Sequence, residues 1–599
     1  TYTFGDTMSF TRGSHSFKFG GEYRRNHLDG NLQETQNGEF RIDNSWKNFL
    51  EVGKPDDKGR TRQFDDISLN YGETIRGYRF NDVSLFFADD WKVSPKFTLN
   101  IGLRWEMFGH PYESGGILNN FDVHLAEEAG DIWEGLTFAS NFDPNCCEGF
   151  DEVTVRYSDT KSTLTNDYNN IAPRLGIAWS PTDRLVIRGG YGMFYERTSG
   201  AFANSLRQAF PFFREAQLND QGSWNAFPQD SAQVPVPDFI VGFDDGEPFL
   251  ATAADPDTEY EAFEAQFIPP YVATPYIQQW SLNVQWEFRR DLLLEVGYVG
   301  TKGTKLLQIL NDNQALDMNA VGFLPRPGVP GGGFYTNYYD IVDDEFVPSE
   351  TPPCDVSDDP GDCVIPSELR LPVMGFDEDE GVNSAFTNSN STYNALQLGL
   401  QKRFSSSYMF NINYTYSRSI DTFSDEGKYQ IEHDQTRPFL NRAVSDFHRP
   451  HRFIASWVWD LPQKEHVLLR GWSFNGILTL QSGRPFSIID DDYSGYLYSS
   501  RNPRPNLAPG ATHDDLVTHG GSVSSRVDNY LNPDALEHSW DKFGDLGRNV
   551  VYGPGQNRID LVLTKITMIT EQKSLEFRAE FFNAFNHPSF RNPENDWSS

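Results

Sequence analysis

The sequence has 599 residues and carries 50 Lys and Arg against 85 Asp and Glu, a net charge of −35 at pH 7. This acidic balance argues against a nucleic acid partner, because a phosphate backbone calls for basic residues. Aromatic residues make up 14% of the chain, yet no stretch approaches the roughly 18 consecutive apolar residues of a transmembrane helix. Membrane-spanning β-strands remain possible, since each needs only about ten residues that alternate between apolar and polar.

Taken in chain order, about fourteen stretches alternate between apolar and polar residues, the pattern of a strand whose two faces meet different surroundings. We predict seven hairpins, near residues 2–25, 82–108, 171–196, 276–302, 393–420, 451–482 and 557–583. The clearest stretch is KFTLNIGLRWEMF at 96–108, where Phe97 through Met107 share one face and Thr98 through Glu106 the other. Its alternation lasts for about twelve residues, whereas typical strands have five or six.

The connections of these strands differ in length between the two ends of the hairpins. Inside the hairpins they are short, as in SPK at 94–96 and SSS at 405–407, while between hairpins they run from about thirty to about ninety residues. A soluble β-sandwich has modest loops at both ends, but outer-membrane barrels combine tight periplasmic turns with long extracellular loops. The sequence therefore predicts an all-β, antiparallel transmembrane β-barrel, with Arg104 and Glu106 pointing into its lumen.

The direction of the strands predicts that further strands of the barrel lie outside this sequence. If the tight turns face the periplasm, the first strand runs inward and the last runs outward. A barrel with an even strand number then needs an odd number of strands before Thr1 and an odd number after Ser599. We therefore expect residues 1–599 to be a partial barrel domain. The N-terminal TYTFGDTMSF, which has neither an initiator Met nor a signal peptide pattern, fits a fragment or a processed form.

The four cysteines suggest one candidate disulfide and no metal site. Cys354 and Cys363 bracket the polar segment DVSDDPGD and could close a small loop, which implies an oxidising compartment. Cys146 and Cys147 are adjacent and poorly placed to bond each other. Neither pair has the spacing of a zinc site.

Histidine and aspartate clusters give weak metal candidates. His448 and His451, three residues apart, could act as ligands together with Asp446, although polar residues that face the lumen where a strand begins are the favoured interpretation. Asp377 and Asp379, or the run at 490–492, could hold calcium in a loop, but their spacing does not fit an EF-hand, and solvated loops are the more ordinary interpretation.

Catalytic motifs are missing from the sequence. It contains no GxSxG or HExxH, and GYVGTKGTK at 297–305 is not a P-loop. Arg578, Glu580 and Asn583 are predicted to pair with neighbouring strands rather than to contact a ligand. We therefore expect no catalytic residue and no cofactor other than a loop calcium ion, with ligand recognition in extracellular loops at residues that the sequence does not assign.

Several stretches resemble the barrel of TonB-dependent outer-membrane transporters, especially the Oar-like branch common in acidobacteria. They are FADDWKVSPKFTLNIGLRWE, NIAPRLGIAWSPTDRLVIRGGYGMFYER, IQQWSLNVQWEF with EVGYVGTKGTKL, SDFHRPHRFIASWVWDLP, GWSFNGILTLQSGRPFSI, and FGDLGRNVVYGPGQNRIDLVLTK with LEFRAEFFNAFNHPSF. The resemblance implies a barrel of twenty-two strands in the outer membrane of a Gram-negative bacterium. This sequence departs from the family pattern because it lacks the signal peptide, TonB box, plug domain and closing strand.

The same resemblance implies the function and the partners. An upstream plug would connect the barrel to the TonB complex, and energy from the inner membrane would drive uptake of a scarce, bulky ligand such as a carbohydrate, a metal chelate or a peptide. Outer-membrane lipid and lipopolysaccharide would surround the barrel. Two alternatives stay open: a passive porin or surface adhesin would use the barrel without energy coupling, and a secreted all-β enzyme such as a glycosidase would need no face toward lipid.

Overall fold

The computed structural model describes most of the chain in separate stretches. These are residues 1–31, 39–41, 66–72, 75–129, 132–144, 155–198, 202, 206, 213–219, 265–311, 314, 339–342, 345–348, 382–424, 434, 437–461, 470–490, 503–521, 523–538 and 543–596.

Long antiparallel strands dominate the described residues. They are β1 (Tyr2–Arg12), β2 (His15–Asn31), β3 (Ile75–Ser94), β4 (Phe97–Phe108), β5 (Asn170–Thr182), β6 (Leu185–Tyr195), β7 (Tyr276–Arg289), β8 (Leu292–Asn311), β9 (Val382–Ser405), β10 (Tyr408–Asp421), β11 (His451–Asp460), β12 (Trp472–Gln481), β13 (Gln556–Thr570) and β14 (Lys573–Phe581).

Each long strand pairs with the next one along the chain, so the sheet is an unbroken antiparallel meander. Three short strands, Tyr112–Glu113, Ala265–Phe267 and Ala443–Val444, extend it to a 17-stranded sheet. Among the described residues, β1 and β14 do not pair with each other, so the sheet is open there. The predicted fold class, an antiparallel all-β sheet, is confirmed.

Short elements lie in the connections between the long strands. The strands are Glu39–Arg41, Asp66–Gly72, Asn119–Phe121, Leu136–Phe138, Phe213–Asn219, Tyr339–Val342, Glu345–Pro348, Pro485–Phe486, Asn506–Leu507, Leu536–Glu537 and Val551–Tyr552. The α-helices are Val123–Ala129 and Val523–Asp528, and the 3₁₀ helices are Ile132–Gly135, Pro438–Asn441, His513–Leu516 and Pro533–Ala535. Within the described part of the chain, none of the helices has the length and apolarity needed to cross a bilayer.

The register of β3 and β4 separates an apolar face from a polar face. Leu103 lies opposite Phe87 on the apolar face, and Glu106 lies opposite Ser84 on the polar face. Arg104 donates from Nε to Glu106 Oε1 at 2.8 Å and from Nη2 to Ser84 Oγ at 2.8 Å. Both charged groups that the sequence places on the polar face therefore lie there and pair with each other.

The apolar face is broad and open. Leu85, Leu103, Ile171 and Leu282, from four different strands, are each exposed over half or more of their surface, at 56, 51, 51 and 50%. Exposed apolar patches of this extent are rare on soluble proteins and mark surfaces that meet another apolar phase. The face as a whole therefore requires an apolar environment.

Large aromatic side chains collect where the strands approach the tight turns. Trp91, Trp179 and Trp286 each lie three residues before the end of their strand, and Trp472 begins β12. The register places all four on the apolar face, and an aromatic belt of this kind is typical of a boundary between lipid and water.

Two lysines reinforce the same edge. Lys402 Nζ lies 2.6 Å from Ser405 Oγ and 4.2 Å from the centre of the Tyr408 ring, and it also donates to the Ser405 carbonyl. Lys565 Nζ donates to the Arg470 carbonyl at 3.2 Å and lies over the Trp472 ring. Both ammonium groups bend from the apolar face toward the turns, as snorkelling lysines do at a membrane surface.

At the opposite edge, some strands continue far beyond the rest. β9 has 24 residues and pairs with β8 from Lys402 to Asn383. A strand of that length spans roughly 80 Å at about 3.3 Å per residue, whereas the apolar band of an outer-membrane barrel is about 25 Å tall. The far half of this ribbon therefore rises well above the band and carries the loops.

The turn between β9 and β10 contains two residues in a strained backbone conformation. Ser406 and Ser407 have φ of 53° and 72°. Positive φ at both central residues matches the twist of a two-residue hairpin, but it costs free energy for any residue with a Cβ atom.

Ser407→Gly is therefore expected to stabilise the folded protein by about 0.5–1 kcal/mol, because Gly adopts positive φ without this cost. The change is measured as a higher midpoint of the heat-dependent mobility shift of the detergent-solubilised protein. Ser405→Gly is the matched control: Ser405 ends β9 in extended conformation, so the glycine should lower the midpoint. A lower midpoint for Ser407→Gly would contradict the strained turn.

Candidate ligand-binding site

The loops opposite the tight turns fold into packed clusters instead of lying over the surface as separate chains. The first loop cluster draws on several connections and on the extended strands. Its buried side chains are Tyr78, Leu118, Ala139, Leu164, Phe202, Leu206, Ile268, Val272 and Ala385. Because these residues come from distant parts of the chain, their packing ties the loops together above the sheet.

The connection between β12 and β13 forms its own cluster, called here the loop module (the described residues of 482–555). Its core consists of Phe486, Ile488, Leu516, Ala535, Leu536, Leu546 and Val551. Two short strand pairs close it, Pro485–Phe486 with Val551–Tyr552 and Asn506–Leu507 with Leu536–Glu537. The loop module therefore has a core of its own, separate from the sheet.

An open cavity of about 690 Å³ lies between the loop module and the segment that follows β14. Its lining residues are His513, Asp514, Val517, Thr518, His519, Arg526, Val527, Tyr530, Val550, Val551, Tyr552, Pro554, Phe590, Arg591, Asn592 and Pro593. The volume falls in the range of small-molecule binding sites.

Two tyrosines give the cavity a fixed wall. Tyr530 Oη donates a hydrogen bond to the Tyr552 carbonyl at 2.6 Å. Burial raises the pKa of both tyrosine hydroxyls above the usual value, so both stay neutral. The wall is therefore aromatic, uncharged and held in place by a hydrogen bond.

Arg548 joins the loop module to the sheet. Its Nη2 donates to Asp421 Oδ1 at 2.8 Å, to Ser424 Oγ at 2.6 Å and to Asp446 Oδ1 at 2.9 Å, and its Nη1 donates to the Asn441 carbonyl at 2.9 Å. The side chain is only 9% exposed. Burial lowers the pKa of the guanidinium, but Asp446 and Asp421 outweigh burial and raise that pKa above its usual value.

Asn549, the next residue, adds a second connection. Its Nδ2 donates to the Val444 carbonyl at 2.7 Å and to Asp446 Oδ1 at 2.6 Å, while its backbone N–H donates to Ser487 Oγ at 3.1 Å. Arg548 and Asn549 directly precede the cavity residues Val550 to Tyr552. One short segment therefore both fixes the loop module to the end of β10 and forms a wall of the cavity.

His448 lies between this wall and the sheet. Its ring lies 6.3 Å from the Tyr552 ring, edge to face, and its Nδ1 accepts a hydrogen bond from the Ser419 backbone N–H at 3.3 Å. Burial, and then the charge of Arg418, lower the pKa of His448 below its usual value. A neutral imidazole therefore connects the aromatic wall to β10.

Comparison with known proteins gives the family. The family model described as "Outer membrane beta barrel domain" matches residues 1–599. The chain belongs to this family. It is thus an outer membrane β-barrel protein of a Gram-negative bacterium, and the apolar face is its lipid-facing surface. Curated proteins give no match to the sequence.

Solved structures of outer membrane proteins resemble the barrel at low identity. The outer membrane transporter YddB from Escherichia coli is 10% identical, with a TM-score of 0.42 and coverage of 98% of this chain and 50% of YddB. The siderophore receptor PiuA from Acinetobacter baumannii is 9% identical, with a TM-score of 0.37 and coverage of 98% and 52%. This chain spans about half the length of these proteins.

The polar face of the barrel carries a repeated ionic pair. On four strands an arginine pairs with an acidic residue two positions away on the same strand, a spacing that places both on one face. The pairs are Arg24 with Glu22, Arg104 with Glu106, Arg558 with Asp560 and Arg578 with Glu580. Arg578 and Glu580 thus pair along one strand, whereas Asn583 reaches a neighbouring strand, its N–H donating to Asp560 Oδ1 at 2.8 Å.

The structure describes four of the predicted metal candidates, His448, His451, Asp446 and Asp490, and it does not bring them together as a metal site. His451 Nδ1 lies 2.8 Å from Tyr414 Oη on the apolar face, His448 contacts β10, and Asp446 binds Arg548 and Asn549. Across the described stretches, no group of three or more His, Cys, Asp and Glu side chains is arranged to hold a metal ion. Asp490 Oδ2 lies 3.0 Å from His538 Nδ1.

The other predicted residues lie outside the described residues, and their roles stay predictions. They are Asp377, Asp379, Cys354, Cys363, Cys146, Cys147 and the remainder of the 490–492 run. The sequence did not single out Arg548, Asn549, Tyr530 or Tyr552 as site residues. The stretch GRNVVYGPG shows no alternation or spaced motif, and only the fold places Arg548 beside Asp421.

Arg548→Met should loosen the loop module from the barrel. Removing one partner of a buried ion pair leaves Asp421 without compensation and typically costs about 3–5 kcal/mol. We expect amide hydrogen exchange at residues 543–552 to accelerate at least tenfold, measured by mass spectrometry, while exchange in β3 and β4 stays unchanged.

Arg442→Met is the matched control, because Arg442 is an exposed arginine near the same strand ends with no side-chain partner among the described residues. It should leave exchange at 543–552 as in the wild type. Equal exchange in wild type and Arg548→Met would rule out the proposed attachment.

His110, in the connection after β4, predicts that acid loosens the first loop cluster. Its ring lies 5.7 Å from that of Phe202, and burial lowers its pKa to about 4, against the raising effects of Thr165 and Asp167. In the unfolded loop the His110 imidazole binds a proton below about pH 6.5, whereas in the folded loop it does so only near pH 4. The contribution of neutral His110 to the free energy of unfolding of the first loop cluster is therefore complete above about pH 6.5. It is lost as the pH falls toward 4, by up to about 3 kcal/mol.

Hydrogen exchange of residues 110–142 at pH 7 and pH 4.5, corrected for intrinsic rates, tests this prediction. The excess acceleration at pH 4.5 should disappear in His110→Phe, which cannot bind a proton. An excess that persists in the variant would assign the pH dependence to other groups.

Proposed function

We propose that this barrel belongs to a TonB-dependent outer-membrane transporter that takes up a scarce, bulky ligand. The ligand classes that we consider are carbohydrates, metal chelates and peptides. The extracellular loops would capture the ligand, a plug in the lumen would block the path, and energy from the inner membrane, transmitted by the TonB complex, would move the plug.

The asymmetry of the sheet carries this proposal. One edge has tight turns with an aromatic and lysine belt, and the other has loops that pack into clusters attached to the strand ends. A passive pore needs only an open lumen, whereas loops with their own cores and a cavity offer a fixed surface for capturing a ligand.

The polar face supports the part of the proposal that concerns the plug. Four of its arginines pair with an acidic residue on the same strand, as Arg104 does with Glu106 at 2.8 Å. A lumen wall of paired charges can contact a folded domain at a lower desolvation cost than a wall of isolated charges. Lipid and lipopolysaccharide would contact the opposite face, where the aromatic belt and the lysines Lys402 and Lys565 lie.

Capture and transport, rather than catalysis, is the proposed role. The buried polar clusters in the described loops hold segments together: Arg548 fixes the loop module, and Glu113 Oε1 and Oε2 accept the N–H groups of Gly77 and Ile117, both at 3.1 Å. Each of these groups has its hydrogen-bonding capacity engaged in structure.

A permeability measurement on the whole gene product separates a gated transporter from a porin. Reconstituted into liposomes without an energy source, the protein should give no swelling in iso-osmotic arabinose, because a plug would fill the lumen. In cells, uptake of its ligand should stop when the proton-motive force is collapsed with a protonophore.

A general porin reconstituted at the same protein-to-lipid ratio serves as the positive control. Swelling at the porin's rate would overturn the transporter proposal in favour of a passive pore. Ligand uptake that continues after the proton-motive force is collapsed would equally exclude energy coupling.

A further inference from the structure

The cavity beside the loop module is basic in a strongly acidic protein. Four of its described lining residues carry or can carry positive charge, namely Arg526, Arg591, His513 and His519, and one, Asp514, is acidic. The chain as a whole has a net charge of −35. A local excess of positive charge on such a background creates a potential that favours anions at this point of the surface.

Among the described residues, the two arginines have no side-chain partner. Neither Arg526 nor Arg591 forms an ion pair or side-chain hydrogen bond with any described residue, in contrast to the engaged Arg548. No described residue therefore occupies the donors of their guanidinium groups, and a planar fork of donors matches the geometry of a carboxylate or phosphate group.

Most of the remaining lining is apolar and partly flat. Tyr530, Tyr552 and Phe590 contribute rings, while Val517 and Val527 contribute aliphatic surface. Rings with a fixed orientation favour a planar partner, since stacked and edge-to-face contacts require extended flat surfaces. The hydrogen bond from Tyr530 to the Tyr552 carbonyl holds two parts of this wall in register.

The cavity is also connected to the barrel. Tyr552 contacts His448 at 6.3 Å, and Val550 follows the segment that Arg548 and Asn549 attach to β10. A ligand in the cavity would therefore press on a wall anchored to the end of a barrel strand, rather than on a loose loop.

We infer that this cavity binds a small anionic ligand with a planar apolar portion, with Arg526 and Arg591 holding the anionic group and Tyr530, Tyr552 and Phe590 the flat portion. The inference rests on the proposed function, because it gives the class of ligand that the loops capture.

Two matched probes test the charge and the shape. 2-Naphthoate and 2-naphthylmethylammonium share a planar ring system and differ in the sign of their charge. In calorimetric titrations of the whole detergent-solubilised protein, with empty micelles as reference, 2-naphthoate should bind at least tenfold more tightly than the ammonium probe. Its binding should weaken as salt is raised, because part of the attraction is screened.

Variants assign the binding to the cavity. The double variant Arg526→Gln/Arg591→Gln should weaken 2-naphthoate at least tenfold, while Arg526→Lys/Arg591→Lys should retain most of the binding. Arg442→Gln removes one positive charge from an exposed site outside the cavity and should leave the affinity unchanged. Both arginines are exposed, so these variants should fold, and the heat-dependent mobility shift checks this.

Equal binding of the two probes, or unchanged naphthoate binding in the double Gln variant, would overturn the inference. These titrations involve no transport, so their failure is distinguishable from that of the proposed function, which the liposome measurement tests without any cavity ligand.

Discussion

The need to pair every backbone polar group within lipid governs the rest of this structure. Lipid offers no hydrogen bonds, so a strand in the membrane must pair on both edges. Each strand from β2 to β13 meets this requirement by pairing with the strands before and after it in the sequence, and this neighbour pairing is why the turns are tight. Only the opposite edge, which rises into water, is free to carry long loops.

This constraint explains what the sequence could predict. In β4, lipid on one face and polar surroundings on the other force a strict alternation. The position of this strand, and the placement of Arg104 and Glu106 on its polar face, could therefore be predicted from the sequence. The far half of β9, with VNSAFTNSNST at 382–392, lies above the lipid and packs in part against the first loop cluster through Ala385, so alternation fades and the strand extends beyond its predicted start near 393. Arg548 and Asp421 are 127 residues apart, and no local pattern connects them.

The polar face and the loop module use charge in different ways. In the lumen wall, arginines and acidic residues two positions apart neutralise each other along four of the strands, so each of these four strands supplies its own compensating charge. In the loop module, Arg548 donates to acceptors at 421–424 and at 441–446, and its burial makes the attachment specific. The two free arginines of the cavity differ from both, because their charge is compensated by no described side chain.

The separate core of the loop module has an evolutionary consequence. The described residues of 508–536 belong to a small core that contributes no hydrogen bond to the barrel ladder, so substitutions there can change the loop module without endangering membrane insertion. Arg548 and Asn549 cannot change as freely, because they attach the loop module to the barrel. Diversification of the loop module, the proposed recognition surface, is thus separated from the constraint that holds the strands in lipid.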